Sequence, residues 1–154
     1  VTRNDVVHRA VRAGAVAAVV SGIPSTTHAL LSGQEVLAAT RAAGTLLPGR
    51  RDRPGILAGL VAHVLVSTFW TAVLAAIARR RRLGPLRGAG AGLAIAALDL
   101  CVAGRAYPAV RALPRAPQVL DHLVFGAVAG ALLDRPHGTD QRTTSTTSPG
   151  CSEL

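Results

Sequence analysis

Four stretches of this chain are apolar over membrane-spanning lengths, and arginine clusters separate them. The clearest is Gly55–Ala78, GILAGLVAHVLVSTFWTAVLAAIA, which holds no Asp, Glu, Lys or Arg and has His63 as its single ionisable group. A helix of this length runs about 36 Å at 1.5 Å per residue, enough to cross a hydrocarbon core of about 30 Å with some tilt. A water-soluble helix as long would need a polar face at helical period, and this stretch has none. Arg50, Arg51 and Arg53 precede it, and Arg79, Arg80, Arg81 and Arg82 follow. Val11–Leu31 carries only Arg12 and His28, but Pro24 interrupts it. Proline removes a backbone donor and frees the Val20 carbonyl, which kinks or breaks a helix there. Ser25, Thr26 and Thr27 follow and are able to satisfy exposed backbone groups. Gly88–Gly104 has Asp99 as its sole charge, and Pro117–Leu133 carries Asp121 and His122, with Pro117 suited to a first helical turn.

Between the first two spans, Ser32–Pro48 has a different pattern. Ser32 and Glu35 have capping-box spacing, and Val36, Leu37, Thr40, Ala43 and Leu47 then fall on one side. This predicts a short amphipathic helix lying in the membrane interface, ended by Pro48-Gly49. Arg79–Arg87 forms an arginine-rich turn with Gly84-Pro85, and Arg105–Ala116 a tight connection punctuated by Pro108 and Pro114. Asp134–Leu154 is polar, rich in Thr and Ser and without hydrophobic period, so a disordered tail is expected. The predicted fold is all-α: a four-helix transmembrane bundle over residues 1–133, with the interfacial helix between helices 1 and 2.

Composition shifts this picture only at the margins. A chain of 154 residues is one domain. The mean hydropathy of +0.37 leans toward a membrane protein, although much of the apolar content is alanine, which keeps an Ala-rich soluble bundle as an alternative. Four aromatic residues, Phe69, Trp70, Tyr107 and Phe125, make thin interfacial belts. The net charge of +9 comes entirely from arginine. Those arginines sit at the ends of apolar segments without interleaved aromatics or a recognition motif, so lipid headgroups fit them better than nucleic acid. Cys101 and Cys151 have no spacing for a disulfide framework or a cysteine metal site. The basic start and the apolar run Ala13–Ile23 also fit a secretory leader, though no Ala-x-Ala site closes the run. With four spans, ten arginines fall on the side of the termini and seven on the other, which places both ends in the cytoplasm of a cell with this protein in its inner membrane.

The candidate chemistry is a polar layer. Small residues recur at four-residue spacing in every span: Gly14/Ala18/Gly22, Gly55/Gly59, Gly88/Gly92 and Gly126/Gly130, a pattern that lets helices approach closely in lipid. His63, Asp99 and His122 continue three of those faces, and His28 continues the first if its helix survives Pro24. With alternating helix directions all four lie in the outer half of the membrane, and His63, Asp99 and His122 stand within roughly 5–6 Å of the centres of their spans. Asp121 points about 100° away from His122, toward a neighbouring helix. An intramembrane carboxylate is costly unless protonated or paired, and imidazole is a natural partner. The layer is therefore expected either to fix helix register as polar glue or to act as a proton relay, a metal site or a bis-His haem site.

No nucleophile elbow, HExxH, P-loop or dinucleotide fingerprint is present, and adjacent residues such as Thr27 and His28 do not face each other on a helix. SGIPSTTHAL (Ser21–Leu30), and Leu98–Gly126 with its Leu98-Asp99-Leu100, Gly104-Arg105, Leu113-Pro114, Pro117-Gln118, Asp121-His122 and Phe125-Gly126 elements, resemble uncharacterised small polytopic membrane proteins of high-GC bacteria. That resemblance implies a membrane location and no particular activity. Two functional expectations follow. The first is an accessory or assembly subunit that meets another membrane protein or a second copy of itself. The second is a proton-coupled transporter, or a metal- or haem-binding protein, that uses the His/Asp layer.

Overall fold

A computed structural model describes residues 2–134. The helices are α1 (Arg3–Val20), α2 (Ile23–Leu31), α3 (Ala38–Ala43), α4 (Ile56–Arg80), α5 (Gly84–Ala106), α6 (Pro108–Arg111) and α7 (Arg115–Leu133), with a 3-10 turn over Gly44–Leu46 and no strand among the described residues. Four segments are long and apolar enough to cross a membrane: Asn4–Leu31, Ile56–Arg80, Gly84–Ala106 and Arg115–Leu133. The chain is an all-α, four-helix, multi-pass membrane protein. Its outer surface agrees, since Leu86 is 87% exposed and Leu57 77%, with Val64, Leu65, Phe69 and Val102 also exposed. In water such a surface would aggregate; against lipid tails it is the ordinary solvent-facing side. That observation counts against the soluble-bundle alternative. The expected disordered tail lies outside the described residues apart from Asp134, which closes α7 by donating its N–H to the Gly130 carbonyl at 3.1 Å.

Two local predictions are corrected. Helix α1 starts well before Val11 because Thr2 and Asp5 cap it reciprocally: Asp5 N–H donates to Thr2 Oγ1 at 3.2 Å and Thr2 N–H to Asp5 Oδ2 at 2.8 Å. The capping box expected at Ser32 and Glu35 does not form. Ser32 instead ends α2, donating its N–H to the His28 carbonyl at 2.9 Å. Glu35 accepts from Arg41 Nη1 at 2.7 Å. Gly33, at φ 64°, turns the chain in a conformation that glycine adopts without strain, and the helix that follows has only six residues. Helix α3 itself packs on α4. Its buried side is Ala42, followed by Gly44 and Thr45, while Leu37 is 44% exposed. Glycines explain the docking: a side chain at Gly59 of α4 would run into the Thr40 carbonyl, and one at Gly44 would meet the Gly55 carbonyl at 2.6 Å.

Helix α7 is the hub, touching α1, α2, α4 and α5, whereas α5 packs only on α7 and the short α6 among its principal contacts. The α5–α7 seam is backbone against backbone. A Cβ at Gly88 or Gly92 would strike α7 carbonyls of Gly126 and His122, and one at Gly126 or Gly130 would strike carbonyls of Gly88 and Gly84. Around this seam the core is small, with Ala13, Ala17, Leu74, Leu83, Phe125, Ala129 and Leu133 buried together. Van der Waals contact over such close approaches is what holds helices together where lipid removes the hydrophobic drive.

Candidate functional site

The site begins with a defect in the first crossing. Ser21-Gly22 interrupts the helical ladder between α1 and α2, about 5 Å past the midpoint of Asn4–Leu31 at 1.5 Å per residue. Pro24 falls in the first turn of α2, so the break precedes the proline. Broken backbone at membrane depth must be satisfied by protein or by a water-filled cavity. Here two distant side chains do it. The Gly22 N–H goes to the Val19 carbonyl at 3.4 Å, and the Ala18 carbonyl takes the Ser21 hydroxyl at 3.1 Å and His63 Nε2 at 3.0 Å. A carbonyl only accepts, so His63 Nε2 carries the proton and Nδ1 is left as the ring's other nitrogen. The Ser25 N–H, which an unbroken helix would give to Ser21, goes to Asp121 Oδ1 at 3.0 Å. Asp121 thus acts as an N-cap for α2 supplied from α7, a carboxylate at the positive end of a helix dipole.

Next to Asp121 on α7, His122 Nε2 lies 2.8 Å from Asp99 Oδ2, and His122 Nδ1 lies 2.7 Å from the Gln118 carbonyl. The carbonyl fixes a proton on Nδ1, and a second proton must occupy the Nε2–Oδ2 contact, since two lone pairs facing each other would repel. The pair is therefore neutral as a whole, either as imidazolium with carboxylate or as imidazole with carboxylic acid.

Between these two groups lies a cavity of about 340 Å³, in the half of the bundle closed by α2 and α3. His63, Asp121 and His122 are on its wall, with Ser21, Ser25, Thr26, Thr40 and Ser67. Leu60, Val66, Trp70, Ile95 and Phe125 are the larger part of the apolar remainder, which α3 and the turn before it complete with Val36, Ala39 and Ala43. Among the described residues no arginine lines it. The volume falls in the range of small-molecule sites, and a mainly apolar wall with a few converging polar groups is their usual make-up. Comparison with known proteins finds no match: no family model, no curated protein and no solved structure is significantly similar to the chain.

The expected His/Asp layer is thus divided. His122 meets Asp99, while His63 and Asp121 serve the helix break, and only His63, Asp121 and His122 share the cavity. His28 is half-buried on α2 and does not line it. Among the described residues no group of three His, Cys, Asp or Glu is placed to hold a metal ion, so the four-residue shell anticipated for a metal does not assemble. The cause is that α7 packs on both α4 and α5, with His122 bonded to Asp99 of α5 while His63 of α4 bonds the Ala18 carbonyl. The cavity itself was not foreseen. Its signal in the sequence was Ser21-Gly22 with Pro24, a break flanked by hydroxyl residues inside an apolar run.

Proposed function

We propose that this chain is a multi-pass protein of a bacterial inner membrane, both termini cytoplasmic, that binds a small solute in the outer half of its bundle and carries it. The observation behind the reading is the cavity built around a discontinuous helix. In membrane carriers, unwound backbone at mid-depth exists to line a binding site, with half-helix ends aimed at the ligand. The neutral Asp99–His122 pair beside the cavity is suited to passing a proton as the solute moves, which is the proton-coupled form of the reading. Trp70 offers a direct test, being the single tryptophan of the chain and part of the cavity wall. In purified full-length protein in nanodiscs, a saturable change in Trp70 emission on titration with small aromatic solutes is expected. A strictly linear response to all of them would remove the binding reading.

The assembly reading keeps one observation of its own. Gly90, Ala94, Ala97 and Cys101 form a small-residue strip at three- and four-residue steps on the exposed side of α5. If that strip pairs with a second copy, oxidation of membranes with copper phenanthroline in a Cys151→Ser background yields a disulfide-linked dimer through Cys101. A monomer under those conditions counts against self-assembly by this face.

A further inference from the structure

On the footing of that cavity reading, we propose that the solute is a small organic ammonium ion, its nitrogen beside Asp121 and its apolar body against Trp70 and Phe125. The polar groups that the helix break leaves toward a ligand are acceptors. Asp121 gives one oxygen to the Ser25 N–H and has lone pairs remaining on both. Among the described residues the cavity wall holds no arginine beside Asp121, whose ionisable neighbours there are the imidazoles of His63 and His122. A carboxylate at this depth takes either a proton or a cation. His63 spends its Nε2 proton on the Ala18 carbonyl, so a neutral ring has an acceptor nitrogen left. Pro24 has no N–H for the Val20 carbonyl, and the end of α1 where Val20 lies is the negative end of its dipole.

The remainder of the wall excludes the other ligand classes. An anionic solute would find none of the described arginines in the cavity. A bare metal ion would find about 340 Å³ of space and no three-ligand cluster among the described residues. A fully apolar solute would cover the remaining lone pairs of the Asp121 carboxylate without pairing them, a loss that polar sites use to reject such ligands. An ammonium ion satisfies the carboxylate, and its apolar body is covered by Trp70 and Phe125. The α2 N-terminus partly neutralises Asp121, which favours a singly charged solute over a dication.

The test uses three probes of one frame on the full-length protein in nanodiscs at neutral pH: 2-phenylethylammonium, 2-phenylethanol and phenylacetate, each followed by Trp70 emission. The expected order is ammonium tightest, by about tenfold over the alcohol, with phenylacetate weakest. Asp121→Asn should lower ammonium affinity by about tenfold and leave the alcohol unchanged within about twofold. Alcohol binding as tightly as ammonium, or tighter phenylacetate, overturns the cation assignment while leaving a binding cavity in place. Absence of saturation by all three overturns the cavity reading beneath it. The wild-type ranking decides the matter even if Asp121→Asn fails to fold.

Discussion

His63 and Asp121 do similar work with different redundancy, and substitution should separate them. The Ala18 carbonyl has two donors, Ser21 Oγ and His63 Nε2, so loss of either leaves it bonded. His63→Ala and Ser21→Ala are each expected to cost only about 0.6 kcal/mol, the usual worth of a hydrogen bond between membrane helices. Together they orphan a carbonyl within the bilayer, and the double variant should lose about 1–3 kcal/mol more than the sum. Asp121 is the single acceptor given to the Ser25 N–H. Asp121→Ala should therefore cost about 1–2 kcal/mol alone, the range for removal of an N-cap. Reversible unfolding in mixed micelles measures all four, and simple additivity of the His63 and Ser21 changes would refute the shared-carbonyl account. For His122, Asp99→Asn keeps a hydrogen-bonding group beside Nε2, whereas Asp99→Leu removes it. Only the second should destabilise strongly; only the first isolates loss of the shared proton.

At the scale of helices, glycines with identical spacing have unequal consequences. Gly126 stands against α5 backbone, while nothing lies within 4 Å of a Cβ placed on Gly90. Gly126→Ala should part α5 from α7 and cost about 1–3 kcal/mol or more, because the collision is with backbone that cannot move aside. Gly90→Ala should be neutral or stabilise by about 0.5–1 kcal/mol through helix propensity. Equal effects would mean the seam is looser than described. The same contrast shows what was legible beforehand. Apolar runs bounded by arginines located all four crossings, because length and missing charge are properties of a segment alone. The capping signal was not decisive: Thr2-x-x-Asp5 and Ser32-x-x-Glu35 have the same spacing, and one caps while the other does not. Ser32 follows a helix whose last carbonyls need donors, and its N–H goes there. Likewise Gly59 was readable as a close-approach residue, but not that its partner is the Thr40 carbonyl of α3.

At the scale of the molecule, the decisive arrangement is α7 lying between the broken first crossing and α5, which no spacing rule predicts. Periodicity puts a side chain on a face, but partner choice depends on how four helices share contacts. Spacing therefore puts Asp99, His63 and His122 at one depth without showing that His122 takes Asp99 and His63 the Ala18 carbonyl. The cavity that results should be wet and open toward one side of the membrane. Ser25 is half-buried and Thr26 exposed on its wall, whereas Ala13 and Ala129 are wholly buried in the core. In a Cys101→Ser, Cys151→Ser background, Ser25→Cys and Thr26→Cys should react with a membrane-impermeant maleimide, and Ala13→Cys and Ala129→Cys should not. Because a thiolate forms only where water reaches, labelling reports hydration as well as access. With the termini cytoplasmic, α2 lies in the outer half, so spheroplasts should label from outside without permeabilisation. Labelling that requires permeabilisation would invert the assigned orientation while keeping the cavity. Unreactive Ser25→Cys and Thr26→Cys in permeabilised membranes would instead mean a dry, sealed break, held by His63 and Asp121 for structure alone.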